Sequence, residues 1–99
     1  MPTYERLERF LREYRRLSPE MREAFLEALQ DFIADADSGQ FRPSLRVKRV
    51  RSARARLWEM TFARDGRATF EMVPSGRRKG LTHIRWHRIG DHSILRQPR

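Results

Sequence analysis

The period of the hydrophobic pattern changes once along this chain, and that single change restricts the fold more than any other feature. Up to residue 37 apolar residues recur every three or four positions, and from residue 45 they alternate with polar ones. The first spacing lines one face of a helix and the second one face of a strand. One crossing point within 99 residues means helices first and strands after, an α+β arrangement rather than repeating strand–helix–strand units. The length fits one domain, expected over residues 1–99.

In the helical part, Leu7, Phe10, Leu11 and Tyr14 fall at i, i+3, i+4 and i+7, and the stripe closes near Leu17. Residues Pro2 to Arg6 read either as its lead-in or as a short strand. Ser18-Pro19 then starts a second helix, with Ser as N-cap, Pro at the first helical position, and Glu20 and Glu23 near the positive end of the helix dipole. Met21, Ala24, Phe25, Ala28, Leu29, Phe32 and Ile33 continue its stripe, and Gly39 ends it. Two helices joined by a tight turn make a hairpin whose apolar face needs a partner surface.

The strand part supplies that surface. Leu45 and Val47 alternate with Arg46 and Lys48; Trp58, Met60 and Phe62 with Glu59 and Thr61; Ala68, Phe70 and Met72 with Arg67, Thr69 and Glu71. A three-residue loop, Arg64-Asp65-Gly66, pairs Phe62 with Ala68, Met60 with Phe70 and Trp58 with Met72, giving one wholly apolar face and putting Gly66 in a left-handed conformation. Glu59 and Glu71 then face each other, with Arg46, Lys48 or Arg85 reaching between them in a salt-bridge network. After a basic loop over 74–80, Thr82, Ile84 and Trp86 alternate with His83, Arg85 and His87 up to Gly90. The expected architecture is a helical hairpin on one face of a twisted antiparallel sheet, with the polar residues on the other face.

Charge divides at the same place as the period. Residues 1–37 hold six cations against nine acids, and residues 38–99 hold sixteen against four. Twenty of the 22 cations are Arg, whose planar fork bonds two phosphate oxygens together. A cationic sheet half points to a polyanion, nucleic acid first, although an arginine-rich composition spread over a solvated surface gives the same arithmetic. With no Cys, disulfides, thiolate metal sites and cysteine nucleophiles are excluded. No apolar run exceeds three residues, so neither a membrane span nor a signal-peptide core is expected, and the expected compartment is the cytoplasm.

No phosphate-cradling glycine loop, dinucleotide fingerprint or nucleophile elbow is present, and the three His lack zinc-protease spacing. His83 and His87 lie roughly 13 Å apart on a strand, too far to share a metal. His92 follows Gly90-Asp91 just beyond a strand end, where functional side chains often project. Arg67 begins the strand after the hairpin and points to the polar face. Metal-free RNA cleavage needs a group to take the 2′-OH proton, one to protonate the leaving 5′-oxygen, and a cation to steady the phosphoryl group. Imidazole suits the proton transfers and Arg the charge, so His92 and Arg67 are the catalytic candidates. A surface His and a surface Arg are the alternative readings.

At this point the chain resembles the RelE/ParE superfamily of type II toxins. The likeness lies in F-L-R-E-Y-R-R-L-S-P (10–19), the alanine-rich helix to Asp37, S-L-R-V-K-R-V with L-W-E-M-T-F-A-R-D-G-R-A-T-F (44–70), and H-I-R-W-H-R-I-G-D-H-S-I-L (83–95). The ending resembles the YafQ-like mRNA-cleaving branch. The resemblance implies a microbial-ribonuclease-like fold, a ribosome-dependent mRNA endonuclease that uses no metal or cofactor, and a cognate antitoxin partner. It assigns Arg67 and His92 to catalysis, Arg46 and Lys48 to holding RNA, and His83, Arg85 and His87 to the same surface. Asp91 stands where a small Ser or Thr is usual, with its carboxylate beside His92. A ParE-like topoisomerase inhibitor and a non-catalytic RNA- or ribosome-binding module remain the other readings.

Overall fold

The computed structural model describes residues 3–50, 56–74 and 82–99. Most of the basic loop expected over 74–80, and most of the second half of the arginine-rich stretch 46–56, lie outside the described residues. Strand β1 (Thr3–Arg6) leads into helices α1 (Glu8–Arg16) and α2 (Pro19–Ala36), followed by a single 3-10 turn at Pro43–Leu45. Strands β2 (Lys48–Arg49), β3 (Leu57–Ala63), β4 (Gly66–Pro74) and β5 (Thr82–Gly90) come next, and a 3-10 helix at His92–Arg96 ends the fold.

The five strands form one sheet in the order β1-β5-β4-β3-β2. All neighbours are antiparallel except β1, which runs parallel to β5 with Thr3 opposite His83 and Arg6 opposite Trp86. The sheet is therefore mixed, and the strand alternative for the first residues is the correct one. Two helices on a five-stranded sheet make the α+β class expected from the change of period.

The helices form where the sequence places them. The Ser18 hydroxyl accepts the Met21 N–H at 3.2 Å and Pro19 opens α2, so one orphan donor of the first turn is capped. Gly39, at φ +72°, turns the chain away after α2 in a conformation that costs a side-chain-bearing residue strain. The apolar stripes meet the sheet in an aromatic cluster. Phe32 lies 5.0 Å from Phe70 and 5.1 Å from Trp86, and Phe25 lies 5.6 Å from Trp86, all between ring centroids. Offset and edge-on contacts of this kind add to the burial of large apolar area.

The opposite face is less bare than alternation suggests. Leu57, Glu59, Thr69 and His87 are all buried there. The chain end lies against this part of the molecule: the Thr69 hydroxyl donates to the Pro98 carbonyl at 2.7 Å. Strand β1 covers only His83–Trp86 of β5. Beyond it, Arg88 binds Glu13 of α1 at 2.6 Å and the Gln97 carbonyl at 2.8 Å, tying the last residues to the helix layer. Among the described residues no helix is long and apolar enough to cross a membrane.

Candidate active site

The β3–β4 hairpin sets the geometry, and its register differs from the expected one. Met60 pairs with Ala68 and Trp58 with Phe70, and Ala63 faces Gly66 across a two-residue turn, Arg64-Asp65. Phe62 is the extra residue of a bulge between Thr61 and Ala63. A shift of two residues keeps every side chain on its face, so the apolar side survives with other partners. Glu59 now lies opposite Thr69 and Glu71 opposite Leu57, so the two carboxylates do not face each other. Gly66 is not left-handed either: Gly39 is the glycine with positive φ among the described residues. Glycine is required at 66 because a Cβ would stand 2.6 Å from the Phe62 ring.

Arg67 follows immediately, opposite Thr61 on one side and Gly90 on the other. Its half-buried guanidinium donates through Nη1 to the carbonyls of Gly66 at 3.0 Å, Ala63 at 3.4 Å and Arg64 at 3.5 Å. Nε and Nη2 make no hydrogen bond among the described residues and remain available to an anion.

Because Arg67 is registered with Gly90, the turn stands beside the end of β5. There Asp65 meets His92: Nδ1 of His92 lies 2.6 Å from the carboxylate, and the His92 N–H approaches the same oxygen at 3.4 Å. The His92 hydrogen bond is the largest cause holding the Asp65 carboxyl below its ordinary pKa. Nε2 of His92 makes no hydrogen bond among the described residues, and the side chain is 70% exposed. Asp91 does not pair with the imidazole. It caps the 3-10 helix instead, accepting from the Ser93 N–H at 2.8 Å and from the Ser93 hydroxyl, and Ser93 holds its carboxyl low.

On the other side of the turn a cleft of about 540 Å³ opens between the hairpin and α2. Arg46, Arg64 and Arg67 stand along it, facing Glu27 and Asp31 of α2. Ala24, Ala28, Leu45 and Phe62 give it an apolar lining. Arg46 reaches it by an unexpected route. The expected strand through 45–48 shrinks to Lys48–Arg49, and Arg46 caps the 3-10 turn in a left-handed conformation, φ 46°. Its N–H donates to the Pro43 carbonyl at 3.0 Å. Arg42 fixes this turn to α2, bonding Asp35 through Nε at 2.8 Å and Asp31 through Nη1 at 2.9 Å. These bonds draw the Asp35 carboxyl down to about 2 and raise the Arg42 pKa.

The remaining RNA-binding candidates sit elsewhere, in a ladder of carboxylate contacts across the sheet. Lys48 lies 3.7 Å from Glu59. Glu71 takes His87 at 2.5 Å and Arg85 at 3.7 Å. Arg85 and His83 share Glu5 of β1 at 2.5 and 3.3 Å, and His83 also meets the Thr3 hydroxyl at 2.8 Å. Arg85 is the first cause of the lowered Glu5 pKa. The structure thus brings Arg46, Arg67 and His92 to one end of the sheet and gives Lys48, His83, Arg85 and His87 carboxylate partners. Sequence reasoning missed Asp65, Arg64 and Glu27. Asp65 was legible only as a turn residue, since its tie to His92 depends on the pairing of β4 with β5.

No family model matches the sequence, and no curated protein matches it. Solved structures do. A YoeB/ParE toxin from Agrobacterium tumefaciens superposes with a TM-score of 0.64 at 15% identity, over 91% of this chain and 98% of its own. The fold is shared with a YoeB/ParE toxin. A metal-bound toxin from Helicobacter pylori gives 0.62 at 14% identity, over 96% of this chain and 99% of its own. A copper-bound mutant toxin from the same organism gives 0.61 at 12%, with the same coverage. In this chain, no group of three or more His, Asp or Glu among the described residues is placed to hold a metal ion.

Proposed function

We propose that this chain is the toxin of a type II toxin–antitoxin system and cleaves messenger RNA on the ribosome without a metal, in the manner of the YafQ-like branch. The observation that carries the reading is the Asp65–His92 pair, an oriented and exposed imidazole held on the hairpin turn that Arg64 and Arg67 flank. A protein that only binds nucleic acid or a topoisomerase needs the cations. It does not need a titratable ring whose second nitrogen is held by a carboxylate.

The chemistry follows from that arrangement. Asp65 holds Nδ1, so His92 gives its Nε2 proton to the 5′-oxygen as the P–O5′ bond breaks, while the 2′-oxygen bonds to phosphorus and its proton passes to bulk water. Arg67, its Nη1 anchored on the turn, directs Nε and Nη2 at the phosphoryl group as charge builds up. Arg46 and Arg64 hold flanking phosphates. Lys48 and Arg85 add affinity at longer range, each sharing its charge with a carboxylate, and His83 and His87 belong to the same surface. The partners on this reading are the ribosome, mRNA and a cognate antitoxin, the protein acts in the cytoplasm as one domain, and no cofactor is used.

The test is expression in bacteria. Wild-type protein should arrest growth, whereas Arg67→Ala and His92→Ala should each relieve the arrest while folding with an unchanged circular dichroism spectrum. Full arrest by both variants would remove the catalytic reading and leave the binding one.

A further inference from the structure

The cleft beside the hairpin combines three things a nucleotide needs, arranged in separate places. Its lining includes the small, part-exposed side chains of Ala24, Ala28 and Ala63, apolar surface for the faces of a base, whereas Leu45 and Phe62, also in the lining, are almost wholly buried. Its hairpin and 3-10 turn side carries Arg46, Arg64 and Arg67, suited to phosphate. Its α2 side carries carboxylates. At about 540 Å³ it lies within the roughly 300–1,000 Å³ of pockets that seat small organic ligands. A site that only gripped the RNA backbone would gain nothing from acids on the facing wall.

The two acids are not equivalent. Asp31 is 2.9 Å from Arg42 and is committed to fixing the 3-10 turn. Glu27 is exposed and makes no hydrogen bond or ion pair among the described residues. It stands one helical turn from Ala24 and Asp31, on the same stripe of α2.

We infer that the cleft seats a nucleobase of the RNA and selects guanine, with Glu27 as the residue that reads it. This rests on the endoribonuclease reading, because Arg67 belongs both to the cleft and to that reading's catalytic pair. A carboxylate offers two parallel acceptors. Guanine alone presents two adjacent donors to match, N1–H and the N2 amino group. Adenine sets its unprotonated N1 next to the N6 amino group, and cytosine sets N3 next to N4, so the second carboxylate oxygen meets an acceptor. Uracil places its single N3–H between two carbonyls. One bidentate pair of this kind discriminates between bases by roughly 5- to 150-fold.

The experiment is a titration of the purified full chain, followed by calorimetry or NMR, with the 5′-monophosphates of guanosine, adenosine, cytidine and uridine and with inorganic phosphate. Guanosine monophosphate should bind at least about fivefold more tightly than the other three. In Glu27→Gln, an exposed helix substitution that keeps size and helix propensity, that preference should fall to about onefold, while inorganic phosphate binds no more weakly than before. Equal binding of the four nucleotides, no nucleotide binding, or a guanine preference that persists in Glu27→Gln would overturn the inference. These readouts need no cleavage. Loss of the endoribonuclease reading alone would appear as selective guanosine monophosphate binding with growth arrest undiminished in the Arg67 and His92 variants.

Discussion

Replacing Gly66 by Ala puts a methyl group into space that the Phe62 ring already holds. The new Cβ would lie 2.6, 2.8 and 2.9 Å from Cε2, Cζ and Cδ2 of that ring, well inside van der Waals contact. The ring has little room to move, because it is buried and sits edge-on to Phe25 with centroids 5.3 Å apart. Overfilling a packed interior costs about 1–3 kcal/mol, and Ala in a strand returns about 0.5–1 kcal/mol of the flexibility that Gly loses on folding. A Cβ this close puts the overfilling cost in the upper part of that range, about 2–3 kcal/mol, so the net cost should be about 1–2.5 kcal/mol, which lowers the Tm of a domain of this size by about 4–20 °C. Urea unfolding of wild type, Gly66→Ala, Phe62→Leu and the double variant measures it. Phe62→Leu removes two of the three offending atoms, so Gly66→Ala should cost about 1 kcal/mol less in that background, a coupling within reach of a double-mutant cycle. A stability unchanged or raised by Gly66→Ala, or an equal cost in both backgrounds, would refute the bulged register and its reason for glycine.

Other consequences follow from the packing and from the acid groups. Phe32→Ala removes a ring that contacts Phe41, Phe70 and Trp86 at 4.8, 5.0 and 5.1 Å, and denaturant unfolding should show a loss of about 3–5 kcal/mol. Asp35, with its pKa drawn down from 3.8 to about 2, stabilises the fold above its unfolded pKa and loses that contribution as pH falls through its folded one. The stability gap between wild type and Asp35→Asn should therefore be constant from pH 7 to 5 and narrow between about pH 4 and 2. A gap independent of pH would contradict the Arg42 pairing.

What could be read from the sequence was what local chemistry decides. The Leu7–Leu17 stripe, the Ser18-Pro19 start and the stripe from Met21 to Ile33 gave α1 and α2 nearly to the residue, because capping and spacing act over a turn or two. The strands from Leu57 to Gly90 were equally plain from alternation. The hairpin register was not, because choosing between neighbouring registers needs the Phe62 ring to have a destination, and Phe25 lies 37 positions earlier in the chain. Arg46 reads as a strand residue until Arg42 is seen gripping Asp31 and Asp35, a contact between the 3-10 turn and the end of α2 that no alternation encodes. The same holds for the site: Arg67 and His92 could be named by their places at strand ends, whereas Asp65 could not.

The central claim is that His92, held by Asp65, cuts messenger RNA. It is tested most directly by the chemistry of mRNA 3′ ends in a translation reaction given purified wild type or His92→Ala. Attack by the 2′-OH leaves 2′,3′-cyclic phosphate ends, so wild type should generate such ends within translated regions and His92→Ala should not. Intact mRNA in a reaction that wild type has stopped, or equal cleavage by His92→Ala, would contradict it.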